Sequence, residues 1–290
     1  MGPYGADNMP VAQPEQPARR GLPVPLARPV VTYVLLALIA LVFLLETALG
    51  GSENNQTLLV MGAEVNYLVA AGDYWRLLAS MFLHIGLLHI AFNGWALFIL
   101  GRDVEAFYGS PRFTVIYFLS GLFGGVASYL FSAPDVLSAG ASGAIFGLVG
   151  AEIAYFVQNR ELFGRLGRRQ LGNLAILVVI NLAFGASPGS GINNFAHVGG
   201  LVGGLVLGLG LAPRYALEWS GLEPRLGNRT PLSLQVLAVT IVAVLLVWGV
   251  SLGNQKWAGS IPSGLGHGAA APGLLILDHG FWAGNPESKS

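Results

Sequence analysis

The chain has 290 residues, 53% of them hydrophobic and only 10% charged, with no net charge and no cysteine. Soluble domains carry about a quarter charged residues, so this composition, with its mean hydropathy of +0.62, excludes an ordinary soluble globule. Zero net charge removes any electrostatic case for nucleic acid as a partner, and the missing thiols remove disulfides, thiolate metal ligands and a cysteine nucleophile.

Residues 1–29, rich in Pro and Ala, read as a flexible N-terminal arm. A helix needs about 20 apolar residues to cross the hydrocarbon of a bilayer. Seven runs approach that length: Val30–Gly50, Phe82–Gly101, Phe113–Phe131, Ser142–Gln158, Leu171–Ser187, Phe195–Ala212 and Leu232–Leu252. The first is too long for a signal-peptide core and follows a Pro-rich segment. Twelve of the fifteen Lys and Arg fall before run 1 or between runs 2 and 3, 4 and 5, and 6 and 7; only Arg76, Lys256 and Lys289 fall on the other side. Positive charge marks the cytoplasmic side, so the N-terminus is expected in the cytoplasm and the C-terminus outside, in a multi-pass protein of a bacterial plasma membrane. Residues 213–231 read as a cytoplasmic loop. Residues 253–290, rich in Gly, Pro and Ser, read as a poorly ordered tail. Within that tail Leu274–Leu277 is too short to span, and His267 and His279 stand in no ligand pattern. No phosphate loop or His-Glu-x-x-His motif occurs.

Polar groups inside lipid are costly and are functional candidates by default. Three stretches carry them. His89 and Asn93, near the start of run 2, are four apart and share a helix face; they could equally glue helices together. Ser142 opens run 4 between small residues, Gly140-Ala-Ser-Gly143. It suits helix packing, or a nucleophile whose helix N-terminus offers free amides to an oxyanion. His197 opens run 6, and Gly200, Gly204 and Gly208 follow it at helical spacing. Packed on Gly143 and Gly147, that face would bring His197 within hydrogen-bond reach of Ser142. Runs 2, 4 and 6 all run in the same direction, so His89, Asn93, Ser142 and His197 share one depth, as a single catalytic site requires.

These residues resemble the rhomboid family of intramembrane serine proteases. The resemblance covers about Val30 to Ala212. It rests on Trp75-Arg76, on His84, His89 and Asn93, on Gly140-Ala-Ser142-Gly143, and on Ala196-His197-x-x-Gly200. It implies an all-α transmembrane bundle: a six-span core at residues 30–212, with residues 232–252 as an added seventh helix. It further implies a Ser–His dyad with Ser142 as nucleophile and His197 as base. His89, Asn93 and the Ser142 amide would serve the oxyanion, and Phe146 would support the His197 ring where the family often has Tyr. The implied partners are transmembrane protein substrates and the lipid bilayer, with no metal and no cofactor. Span 5 would be a lateral gate, and the loop Gly185–Asn194 would cap the site. Trp75-Arg76 is expected to be structural. Glu46 is expected to snorkel to water, and Glu152 to be neutral or paired with a neighbouring span. Two other readings are a non-proteolytic membrane-protein binder on the same scaffold, and a transporter or metal site using His84, His89 and His197.

Overall fold

The computed structural model describes residues 26–220 and 223–260; the first 25 residues, His267, His279 and Leu274–Leu277 lie outside them. The chain runs through α1 (Val30–Ala48), α2 (Asn55–Met61), β1 (Glu64–Val65), α3 (Asn66–Ala70) and α4 (Arg76–Ala79). It continues through α5 (Leu87–Ala96), α6 (Arg102–Tyr108), α7 (Ser110–Phe131), β2 (Leu137–Ser138), α8 (Ser142–Gln158) and α9 (Arg160–Gly185). It closes with α10 (Asn194–Leu211), the hairpin β3 (Tyr215–Ser220) and β4 (Glu223–Asn228), and α11 (Leu232–Trp257). The fold is an all-α membrane helix bundle, and each of the seven apolar runs lies mostly in helix, run 2 being broken between Phe82 and Leu87. Helices α1, α7, α10 and α11 are each long and apolar enough to cross a bilayer; a fifth candidate is the pair Arg76–Phe82 and Leu87–Tyr108, bent by 92° at the break between them. The expected run 5 is the C-terminal part of α9, whose first half is Arg-rich and breaks at Gly164 (φ 50°).

Helix α8 is the centre of the bundle. It has 17 residues, short for a span, but it packs on α7, α9 and α10, so protein rather than lipid surrounds it. Ala144, Leu148, Ala151 and Tyr155 are buried. Helices α1 and α11 instead present large apolar side chains outward, among them Leu41, Leu44, Val244 and Trp248, as lipid-facing helices do.

Buried polar groups tie these helices together. The Glu105 carboxylate accepts from the Val31 N–H (2.9 Å), the Thr32 N–H and hydroxyl (both 2.7 Å) and the Ser110 hydroxyl (2.6 Å). It thereby satisfies amides at the start of α1 that have no intrahelical acceptor. The Tyr108 hydroxyl donates to the Ala151 carbonyl at 2.7 Å. Arg76, the first residue of α4, is buried: it donates to the carbonyls of Leu59 (2.7 Å) and Ala63 (3.1 Å), pairs with Asp73 (2.9 Å) and lies 4.8 Å from the Trp75 ring centroid. Charge-assisted bonds of this kind fix a loop, in keeping with a structural part for Trp75-Arg76.

Two expected boundaries move. Residues 213–231 contain a β-hairpin, with Tyr215 opposite Asn228, rather than a plain loop. Helix α11 runs past Leu252 to Trp257, because Trp257 donates to the Tyr129 carbonyl (2.8 Å) and Asn254 takes the Tyr129 hydroxyl (2.9 Å).

The seam between α8 and α10 is closed by glycine. A Cβ on Gly200 would land on the Gly143 carbonyl, one on Gly204 on the Gly147 carbonyl, and one on Gly208 against Ala151. On the other flank of α10, a Cβ on Gly124 of α7 would meet the Ala196 carbonyl. Backbone therefore rests on backbone across the seam, the close approach that small residues permit in lipid. Gly204→Val should lower stability by about 1–3 kcal/mol, the usual cost of overpacking. Gly172→Ala in α9, where a Cβ meets open space, should be neutral or gain up to about 1 kcal/mol from helix propensity. Thermal unfolding in detergent distinguishes them; equal melting of Gly204→Val and the native chain would contradict the seam.

Candidate active site

Ser142 is the first residue of α8, and no side chain caps that helix. Its first N–H groups therefore point, with the positive end of the helix dipole, into the space in front of Ser142. The approach is set by Gly140, whose φ of +135° lies in the left-handed region that favours glycine. The Gly140 N–H also donates to the Ser80 carbonyl at 2.9 Å, and β2, just before it, pairs with β1. A Cβ on Gly140 would stand 2.8 Å from His89 Nε2 and 3.8 Å from Ser142 Oγ, so the His89 ring and the Ser142 hydroxyl flank the same α-carbon.

His89 has a defined tautomer. Its Nδ1 accepts from the Ile85 N–H at 3.2 Å. In the neutral ring the proton then sits on Nε2, the nitrogen that faces Gly140. The His84 ring packs edge-on against His89 at 5.3 Å. Asn93 is buried one turn along α5, and its amide donates to the His89 carbonyl at 3.0 Å.

His197 lies in the first turn of α10. That helix starts where it does because the Asn193 carboxamide accepts from the N–H groups of Phe195 (3.1 Å) and Ala196 (3.2 Å), an N-cap. The His197 ring stacks on Phe146, with centroids 4.2 Å apart and planes 9° apart. Its Nδ1 is buried without a partner, so no carboxylate orients it. The glycine seam brings the two helix starts together, but no hydrogen bond joins the Ser142 hydroxyl to the His197 ring. Among the described residues no three His, Asp or Glu side chains converge as a metal-holding group.

Sequence reasoning passed over Asn193, whose amide also reaches the Ser128 hydroxyl (2.8 Å) and the Ser132 hydroxyl (3.2 Å); an Asn just before an apolar helical run was the available signal. Glu46 does not snorkel to water. It is fully buried and accepts the His84 N–H at 3.0 Å, because the broken span leaves that amide without a helical acceptor. Glu152 accepts from Gln170 of α9 at 2.9 Å. Ten residues along α8 from Ser142, it is about 15 Å from the site.

A sequence profile of the Rhomboid domain matches residues 71–214. Rhomboid protease GluP of Bacillus subtilis (strain 168) is 46% identical over 178 residues, which cover 61% of this chain and 34% of that protein. RHOMBOID-like protein 2 of Arabidopsis thaliana is 35% identical over 202 residues, 69% of this chain and 62% of that protein. Putative rhomboid protease YdcA of Bacillus subtilis (strain 168) is 35% identical over 142 residues, 49% of this chain and 69% of that protein. The chain thus spans less than two thirds of GluP and of RHOMBOID-like protein 2.

Glu64, in the loop that supports the Gly140 stretch, is buried beside Ser128. Burial pushes its carboxyl up to about 8, with the Ser128 hydroxyl partly opposing. A folded-state value above the ordinary 4.5 means that the native state holds the extra proton. The stability it contributes is complete below that ordinary value and is lost as pH rises through about 8. The native chain should therefore lose thermal stability progressively between those two values, and Glu64→Gln, which cannot ionise, should lose less. Parallel pH profiles for the two proteins would contradict this assignment.

Proposed function

The chain belongs to the rhomboid family, and from that premise we propose that it works as an intramembrane serine endopeptidase. It is an integral multi-pass membrane protein, and its substrates are the transmembrane segments of other proteins. The observation that carries the reading is the meeting of two helix starts: an uncapped α8 headed by Ser142, and α10 with the His197 ring held flat on Phe146.

Ser142 Oγ attacks the carbonyl carbon of the scissile peptide while His197 takes its proton. The oxygen of the tetrahedral intermediate receives hydrogen bonds from His89 Nε2–H, the Asn93 amide and the Ser142 N–H. Donors fixed in advance are the largest source of such stabilisation. His197 then returns the proton to the leaving amine nitrogen, and the C–N bond breaks. Water, deprotonated by His197, hydrolyses the acyl ester and regenerates the Ser142 hydroxyl. Orientation of His197 falls to Phe146 rather than to a third polar residue, which makes the centre a dyad. The scissile segment must unwind first, since helical hydrogen bonds hide its carbonyl. That favours substrates with helix-destabilising residues and a small residue at the cut. Span 5 serves as the lateral gate, and the Arg distribution supports seven crossings with the site toward the extracytoplasmic face.

Ser142→Ala and His197→Ala should each abolish cleavage of a reconstituted transmembrane substrate, with melting temperatures close to the native value, and Ser142→Ala should also lose labelling by a fluorophosphonate. Cleavage at the native rate by Ser142→Ala would reject the mechanism. Asn93→Ala should reduce turnover by about 100- to 1000-fold, the usual effect of losing one oxyanion donor, with little change in apparent substrate affinity. Reduced stability with undiminished turnover per folded molecule would instead make Asn93 interhelical glue.

A further inference from the structure

The end of the bundle opposite Ser142 contains a cavity of about 460 Å³ between α6, α8 and α9. Glu152 lines it and is 1% exposed. One of its oxygens takes the Gln170 amide, and the other, Oε2, is buried without a partner. A buried carboxylate oxygen lacking a donor is costly, and the residue that carries it stands in the wall of a cavity. Phe107, Phe156 and Phe163 line the same space, meeting edge to face at 5.8 and 5.1 Å. Carboxylate together with aromatic rings is the chemistry that holds an ammonium group. Asp103 and Arg169, both exposed, also line it. Asp103 adds a second acceptor for N–H, and Arg169 is suited to a phosphate oxygen.

An ammonium and a phosphate on one small ligand describe a zwitterionic headgroup. Oε2 needs an N–H, which a quaternary ammonium lacks. Beyond the cavity, α9 continues with Ile176, Val179 and Ile180 exposed at 59–65%, an apolar surface on which acyl chains can lie. We propose that this cavity binds the headgroup of a phospholipid bearing a primary ammonium, which donates to Glu152 and Asp103 while its phosphate meets Arg169. The site shares no residue with the proposed catalytic centre, so its fate is independent of the protease assignment.

The test is native mass spectrometry of the full chain released from detergent with added phosphatidylethanolamine, phosphatidylcholine or phosphatidylglycerol, alongside melting temperatures without lipid. The expected result is retention of phosphatidylethanolamine, with phosphatidylcholine and phosphatidylglycerol held about tenfold or more weakly. Glu152→Gln, which keeps the side-chain shape, should weaken phosphatidylethanolamine retention by about tenfold or more, the scale of one charge-assisted hydrogen bond. Asp103→Asn, at an exposed position, should weaken it in the same direction and stands in if Glu152→Gln melts early. Equal retention by the native chain and both variants would overturn the proposal. So would retention of phosphatidylglycerol as strong as that of phosphatidylethanolamine, which would make Arg169 alone the attractor. Displacement of the lipid by soluble phosphoethanolamine at matched concentration would overturn its assignment to lipid.

Discussion

The arrangement depends on the seat of α10 against α8, where Gly200 and Gly204 rest on the backbone of Gly143 and Gly147. Lipid supplies no hydrophobic drive for helices to associate, so shape and hydrogen bonding must hold them. Glycine lets two helix backbones touch along one seam, and contact between backbones has little freedom to slide. The register that follows puts the first turn of α10 beside the first residue of α8. A side chain one methyl larger on this seam would meet backbone and would have to shift the start of α10 relative to that of α8, so under the proposed mechanism packing and chemistry depend on the same atoms.

Around that seam, polar groups are spent on geometry. Glu105 gathers the starts of α1 and α7, Tyr108 reaches the α8 backbone, and Asn193 caps α10 while holding Ser128 and Ser132 of the α7 end. Each satisfies backbone or hydroxyl groups that would otherwise be unpaired away from water. The break between Phe82 and Leu87 is stabilised in the same way. It turns the chain at Gly86 (φ +80°), and Glu46 of α1 accepts the freed His84 amide. The turn lets the His84 and His89 rings stack edge-on and fixes the tautomer of His89.

The helices were legible in the sequence because the bilayer sets a minimum apolar length, and seven runs meet or approach it. The candidate site was legible because Ser142, His197, His89 and Asn93 are polar where polarity is costly, and because Gly200 and Gly204 recur at the spacing of one helix face. The seam follows from that pattern; the Phe146–His197 stack was expected only from the rhomboid resemblance. Partners distant in the chain were not legible. Nothing near Glu46 points to His84, 38 residues away, and nothing near Glu105 points to Thr32, 73 residues away. The hairpin at Tyr215–Asn228 was missed because a short polar stretch carries little periodicity. The end of α11 was misplaced because tertiary bonds from Asn254 and Trp257, rather than hydropathy, carry the helix onward.

The central claim is that the seam delivers the Ser142 hydroxyl and the His197 ring to one reacting atom. A mechanism-based chloroisocoumarin tests it directly, since its ring opens on a serine and then offers a second electrophilic carbon to a neighbouring imidazole. Peptide mapping of the inactivated protein should find one inhibitor bridging the Ser142 peptide and the His197 peptide. An adduct confined to another residue, or a folded protein that Ser142 leaves unmodified, would contradict the account.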